Sequence, residues 1–157
     1  MHNQNIPADL SYFRLSLLAF LNESHPHLTN DEKFISVRVE TALDVYEQAV
    51  KNGSSPFEAL HSANKVLFNG LHFSKYDTLK NILWNEFSNE IPEDKAPEMA
   101  VKLLPQYETV FAEYPLSDDF AYSPEYDLLY TELTGAIAEL IADFKFQITN
   151  FRFPPAF

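Results

Sequence analysis

Ser123-Pro124-Glu125-Tyr126-Asp127-Leu128-Leu129-Tyr130-Thr131-Glu132-Leu133-Thr134-Gly135-Ala136-Ile137-Ala138-Glu139-Leu140-Ile141-Ala142-Asp143-Phe144 is the stretch whose periodicity decides the fold. Ser123 is placed to cap a helix, Pro124 occupies its first position, and carboxylates fill its first turn. Tyr126, Leu129 or Tyr130, Leu133, Ile137, Leu140, Ile141 and Phe144 then recur at three and four residues, one apolar face of a long helix. A helix with so continuous an apolar face is expected at the centre of the molecule. Glu132, Glu139 and Asp143 form its solvated back.

Working outward, the same periodicity recurs upstream. Leu10, Phe13, Leu17 and Leu21 predict a helix over about Asp9–Asn22, ended by His25-Pro26-His27. Thr29 and Glu32 stand at capping-box spacing before a second helix, whose stripe is Ile35, Val39, Ala42, Tyr46 and Ala49 and whose end is Gly53. Ser55-Pro56-Phe57-Glu58 opens a third helix with cap, proline and box glutamate in order, and Gly70 ends it. Ser74 and Asp77 start a fourth, running through Tyr76, Leu79, Leu83 and Phe87 to about Glu90, with Trp84 beside its stripe. Pro92, Pro97 and Pro105 break the next stretch of chain into short pieces, predicting a helix over 97–114 kinked or restarted at Pro105. Three glycines in the chain, none paired for a primed turn, leave almost no material for β-hairpins. The expected fold is all-α: a single-domain bundle of about six helices over 1–149 with a central C-terminal helix. The aromatic, proline-containing tail 150–157 is expected to dock on its own domain or on a second copy, which would make a homodimer.

At 157 residues the chain can bury roughly 68–70% of its unfolded surface and needs no disulfide or metal to fold. It has no cysteine, which excludes thiolate nucleophiles, thiolate metal sites and disulfides. The start, Met1-His2-Asn3-Gln4-Asn5, lacks the basic cluster and following apolar core of a secretory signal, and no run reaches membrane-span length. A cytoplasmic protein without a membrane partner is expected. A formal charge of −12 with only 11 Lys and Arg disfavours direct binding of nucleic acid or anionic lipid, which relies on basic residues replacing counterions.

From Leu103 to Phe144 there is no Lys, Arg or His at all, against nine carboxylates and eight aromatic rings. The segment ahead of the decisive helix, Pro115-Leu116-Ser117-Asp118-Asp119-Phe120-Ala121-Tyr122, concentrates this character. Paired carboxylates there can hold a hard cation or work as acid and base. They also cap helices and complement the helix dipole, and this second reading is preferred, because a calcium loop wants a turn glycine and alternating ligand spacing. Asp118, Asp119, Phe120, Tyr122 and Tyr126 are the candidate binding surface, since tyrosine joins a large contact area to a hydrogen-bonding tip. Tyr126 and Tyr130 serve equally well as packing for the last helix.

Elsewhere the chemistry is sparse. Glu58 and His61 have the spacing used twice in carboxylate-bridged di-iron bundles, but it occurs once, so a surface pair is expected. His25 and His27 flank a proline in what reads as a solvated loop, and His72 reads as a partly buried histidine holding a turn. Phosphate-cradling glycine loops, nucleophile elbows and dinucleotide fingerprints are missing. No catalytic residue, metal ligand or cofactor is assigned.

Leu10-Ser11-Tyr12-Phe13-Arg14-Leu15, the run from Leu67-Phe68-Asn69-Gly70-Leu71-His72-Phe73 to Leu79, and the run from Tyr114-Pro115-Leu116-Ser117-Asp118-Asp119-Phe120 to Tyr130 carry a resemblance. They resemble a family of small all-helical hypothetical proteins from Bacteroidetes-type bacteria, known as a domain of unknown function. It spans residues 8 to 141. The resemblance implies the all-helical fold and transfers no functional residue. The sequence therefore points to a non-enzymatic interaction or regulatory module with a protein partner. The alternatives are an acidic decoy that mimics DNA toward a nucleic-acid-binding protein, and a carboxylate-based metal protein or enzyme.

Overall fold

A computed structural model describes the backbone of residues 8–151 and the side chains of residues 8–145. Among them lie seven α-helices and no strand: α1 (Leu10–Ser24), α2 (Glu32–Lys51), α3 (Pro56–Leu67), α4 (Lys75–Glu86), α5 (Ala96–Leu103), α6 (Glu108–Phe111) and α7 (Glu125–Phe151). The all-α class is as expected, and no described helix is long and apolar enough to cross a membrane. Asn150 and Phe151 close α7, while the rest of the predicted docking tail lies outside the described residues, as does the Met1–Asn5 start. The chain divides into two compact units, Met1–Tyr76 and Asp77–Phe157.

In the first unit, Phe13, Leu17 and Leu21 of α1 meet Ile35, Val39 and Ala42 of α2 and Ala63 and Leu67 of α3 in one buried cluster. Those of α1 and α2 are positions the periodicity marked, because residues three and four apart share a helix face. Ser55 Oγ accepts from the Glu58 amide at 3.1 Å and the Glu58 carboxylate accepts from the Ser55 amide at 3.0 Å, a complete capping box. Glu58 is thereby committed to the helix start, and it and His61 are exposed.

Glycine stops α2 as expected. The Gly53 amide donates to the Val50 carbonyl and that of Ser54 to Ala49, a Schellman end that needs the positive φ of 98° found at Gly53. Gly70, at φ 78°, is the third residue of a turn closed by the Leu71 amide and the Phe68 carbonyl.

Three local expectations change. α2 is capped by Asp31, whose Oδ1 accepts from the Phe34 amide, not by Thr29. Pro26 starts a short 3-10 turn, Pro26–Leu28, and the Thr29 hydroxyl donates back to the Pro26 carbonyl, while Glu32 pairs with Arg14 at 2.8 Å instead of completing a box. The histidines exchange roles. His25, expected in solvent, is 6% exposed and its Nε2 bonds the Leu71 carbonyl at 2.7 Å, so that nitrogen carries the proton. His72, expected to be partly buried, is exposed, because Leu71 and Phe73 on either side both turn inward.

In the second unit, α4 buries Leu79, Ile82 and Leu83. It stops at Glu86 instead of near Glu90, where the amides of Glu90 and Ile91 both turn back to the Phe87 carbonyl and Pro92 holds the preceding residue out of helical geometry. Trp84 donates from its indole nitrogen to the Glu93 carbonyl. The region around Pro105 is interrupted as expected: α5 ends, Pro105–Tyr107 forms a 3-10 turn, and α6 follows, since proline cannot supply the amide a continuous helix requires. α7 buries Leu129, Leu133 and Ile137, packs against α6 and a 3-10 turn at Phe120–Tyr122, and is tied to α4 through Tyr130. It is the central helix of its unit.

Candidate functional site

The connection between α6 and α7 is a chain of tight turns. The amides of Tyr114, Leu116, Ser117, Phe120, Tyr122 and Ser123 each find a carbonyl two or three residues back. Backbone groups satisfied locally hold a segment in shape without long-range partners. The Ser123 hydroxyl donates to the Phe120 carbonyl at 2.8 Å, closing the Phe120–Tyr122 turn from its far end.

That turn separates its two rings. Side chains advance about 120° per residue in a 3-10 helix, so Phe120 and Tyr122 cannot share a direction. Phe120 is 2% exposed and Tyr122 is 89% exposed. Phe120 is therefore removed from the expected contact surface: it is the anchor. It makes edge-on contacts with Tyr114 and Tyr126, at centroid distances of 6.0 and 6.2 Å, and Tyr126 continues the row to Tyr130.

The tyrosine hydroxyls fasten the connection to helices. Tyr114 Oη donates to Glu132 at 2.7 Å, and this bond to a carboxylate, with burial and neighbouring negative charge, pushes its pKa up to about 12. Tyr130 Oη donates to Glu86 at 3.0 Å and accepts from the Asn85 amide. Burial raises its pKa most, with Asn85 opposing and Glu86 reinforcing the shift. A tyrosine raised in this way stays protonated at neutral pH and serves as a donor, not as a base.

Of the remaining candidates, Asp118 and Tyr126 are half-buried and Asp119 is exposed, as are Glu125 and Asp127 on the first turn of α7. Asp119 stands at the start of the Phe120–Tyr122 turn without a side-chain bond to it, and that turn intervenes before α7. A cap adjoins its helix, so the capping expectation gives way at Asp119 to a carboxylate facing solvent. Among the described residues no three of His, Cys, Asp and Glu are grouped to hold a metal ion.

A second feature of this unit is not among the expected sites: an apolar groove of about 500 Å³ lined by Leu83 of α4, residues of α5 and the distal half of α7. Its signal lies in the apolar stripe of the decisive helix, which continues to Phe144.

The sequence model of a domain of unknown function, DUF1896, matches residues 5–146, so one family domain contains both units. No curated protein matches the chain. Among solved structures it is similar to the crystal structure of protein PG0816 from Porphyromonas gingivalis, at 47% sequence identity and a TM-score of 0.83, over 86% of this chain and 92% of that one. On sequence and fold together, the chain belongs to the DUF1896 family.

Proposed function

We propose that this protein is a non-enzymatic interaction module that presents residues 115–127, as an anionic surface tipped by Tyr122, to a basic protein partner. The observation that carries the reading is a tyrosine ring 89% exposed on a turn whose other ring, Phe120, is buried. The backbone that carries this ring is held by the hydrogen bonds of its turn, and a tyrosine side chain has only two torsions to order on binding, which is why such residues serve as contact anchors. Asp119, Glu125 and Asp127 surround it in sequence with exposed carboxylates, and no cation from Leu103 to Phe144 offsets them. A field of that sign accelerates encounter with a basic partner and repels phosphate. The reading places the protein in the cytoplasm and requires no cofactor.

The test is capture from extracts of the source organism on immobilised wild-type, Tyr122→Ala and Asp119→Lys proteins. A basic protein should be retained by the wild type at low salt and lost from both variants while their thermal unfolding is unchanged. Equal recovery by all three would end the proposal. Competition of the captured protein by duplex DNA would assign the narrower role of a DNA-mimicking decoy.

A further inference from the structure

The apolar stripe of α7 outlasts its cover. Ile137 is buried, Leu140 and Ile141 are half-buried, and Phe144 is 61% exposed. With Met99 and Leu103 of α5 these residues line the groove of about 500 Å³, a volume within the range of sites that enclose a ligand. Its charged rim residues are Glu90 and Lys145, of opposite sign, so charge selects little and an apolar occupant is called for. Continuous apolar surface of this kind marks a place where something docks.

We propose that the occupant is the chain's own segment Arg152-Phe153-Pro154-Pro155-Ala156-Phe157, folded back from the end of α7. Two prolines prevent this segment from continuing the helix, and Pro154 disfavours helical geometry at Phe153 as well. On this proposal the segment leaves the helix after Phe151. At about 1.5 Å per residue, Phe151 lies roughly 10 Å beyond Phe144 along the helix. Six residues extended at about 3.3 Å each span roughly 20 Å, enough to return Phe157 alongside Leu140. Pro154-Pro155 favours an extended conformation before docking, so little freedom is lost on seating it. A tether this short gives an effective concentration of about millimolar, far above that of a second copy in dilute solution, and favours folding back over exchange between chains.

The absence of cysteine makes an engineered disulfide a clean reporter. In the 157-residue chain, Met99→Cys with Ala156→Cys should close within one chain at least about tenfold faster than Glu139→Cys with Ala156→Cys. Glu139 lies at the same height on α7 but away from Ile137 and Ile141, each two residues and roughly 200° around the helix from it. Adding Phe153→Ala and Phe157→Ala should abolish the advantage. Ile91, also a groove residue, replaces Met99 as the cysteine position if the first variant folds poorly. Equal rates for the two pairs, disulfides formed only between chains, or an advantage that survives loss of both phenylalanines would each overturn the proposal.

Discussion

His25 and His72 differ in what surrounds them, not in kind. The His25 ring is buried and donates to the Leu71 carbonyl, so its removal leaves a carbonyl without that partner in a desolvated place. His25→Ala is expected to cost about 1–3 kcal/mol in urea unfolding, whereas His72→Ala, at an exposed position edge-on to Phe20, should cost less. Tyr114 supplies a pH dependence of definite sign. Its pKa is raised from 10.0 to about 12 by the bond to Glu132, so the stabilisation is complete below pH 10 and is lost as pH rises toward 12, where phenolate faces carboxylate. Alkaline spectrophotometric titration should find Tyr114 among the tyrosines that ionise late, with Tyr107 and Tyr130 also raised, and Tyr114→Phe should remove one residue's worth of the late absorbance change and its share of the alkaline loss of stability.

At the scale of the element, the ends of helices carry the testable content. A Cβ at Gly53 would meet nothing within 4 Å, so the cost of Gly53→Ala is conformational alone, about 1–2 kcal/mol from a left-handed backbone. Thermal unfolding of that variant measures it directly. The Phe120–Tyr122 turn makes a sharper contrast. Phe120→Ala removes a buried ring and should cost about 3–5 kcal/mol, while Tyr122→Ala, two residues away, should leave stability within about 0.5 kcal/mol. Comparable losses at the two positions, measured by chemical denaturation, would mean that the turn does not divide its rings into anchor and tip.

For the molecule as a whole, a net charge of −12 acts against the compact state through self-repulsion. Raising ionic strength from about 0.01 M to 0.15 M shortens the screening length from about 30 to 8 Å. The melting temperature should therefore rise by a few degrees, roughly the response of a domain this size to about 1 kcal/mol. A melting temperature that fell with salt would show that attractive ion pairs, such as Arg14 with Glu32, outweigh the repulsion.

What the sequence alone determined is the set of features written locally along the chain. Apolar residues at helical spacing marked every buried position of α1 and α2 and the line of α7, the Ser55–Glu58 box and Gly53 set their helix ends, and Pro105 set a break. Each depends on residues within one or two turns, which periodicity and capping describe well. Tertiary structure decided what depends on contacts between distant residues. The Leu71 carbonyl, 46 residues along the chain, holds the His25 ring in the interior. Arg14 drew Glu32 out of the box expected at Thr29 and left Asp31 to cap α2. Phe120 went inward between Tyr114 and Tyr126, and once it did, the geometry of the 3-10 turn sent Tyr122 outward. Composition had marked 115–127 as anionic and aromatic, but which ring anchors and which is presented depends on the space left between packed elements, and no local pattern encodes that space.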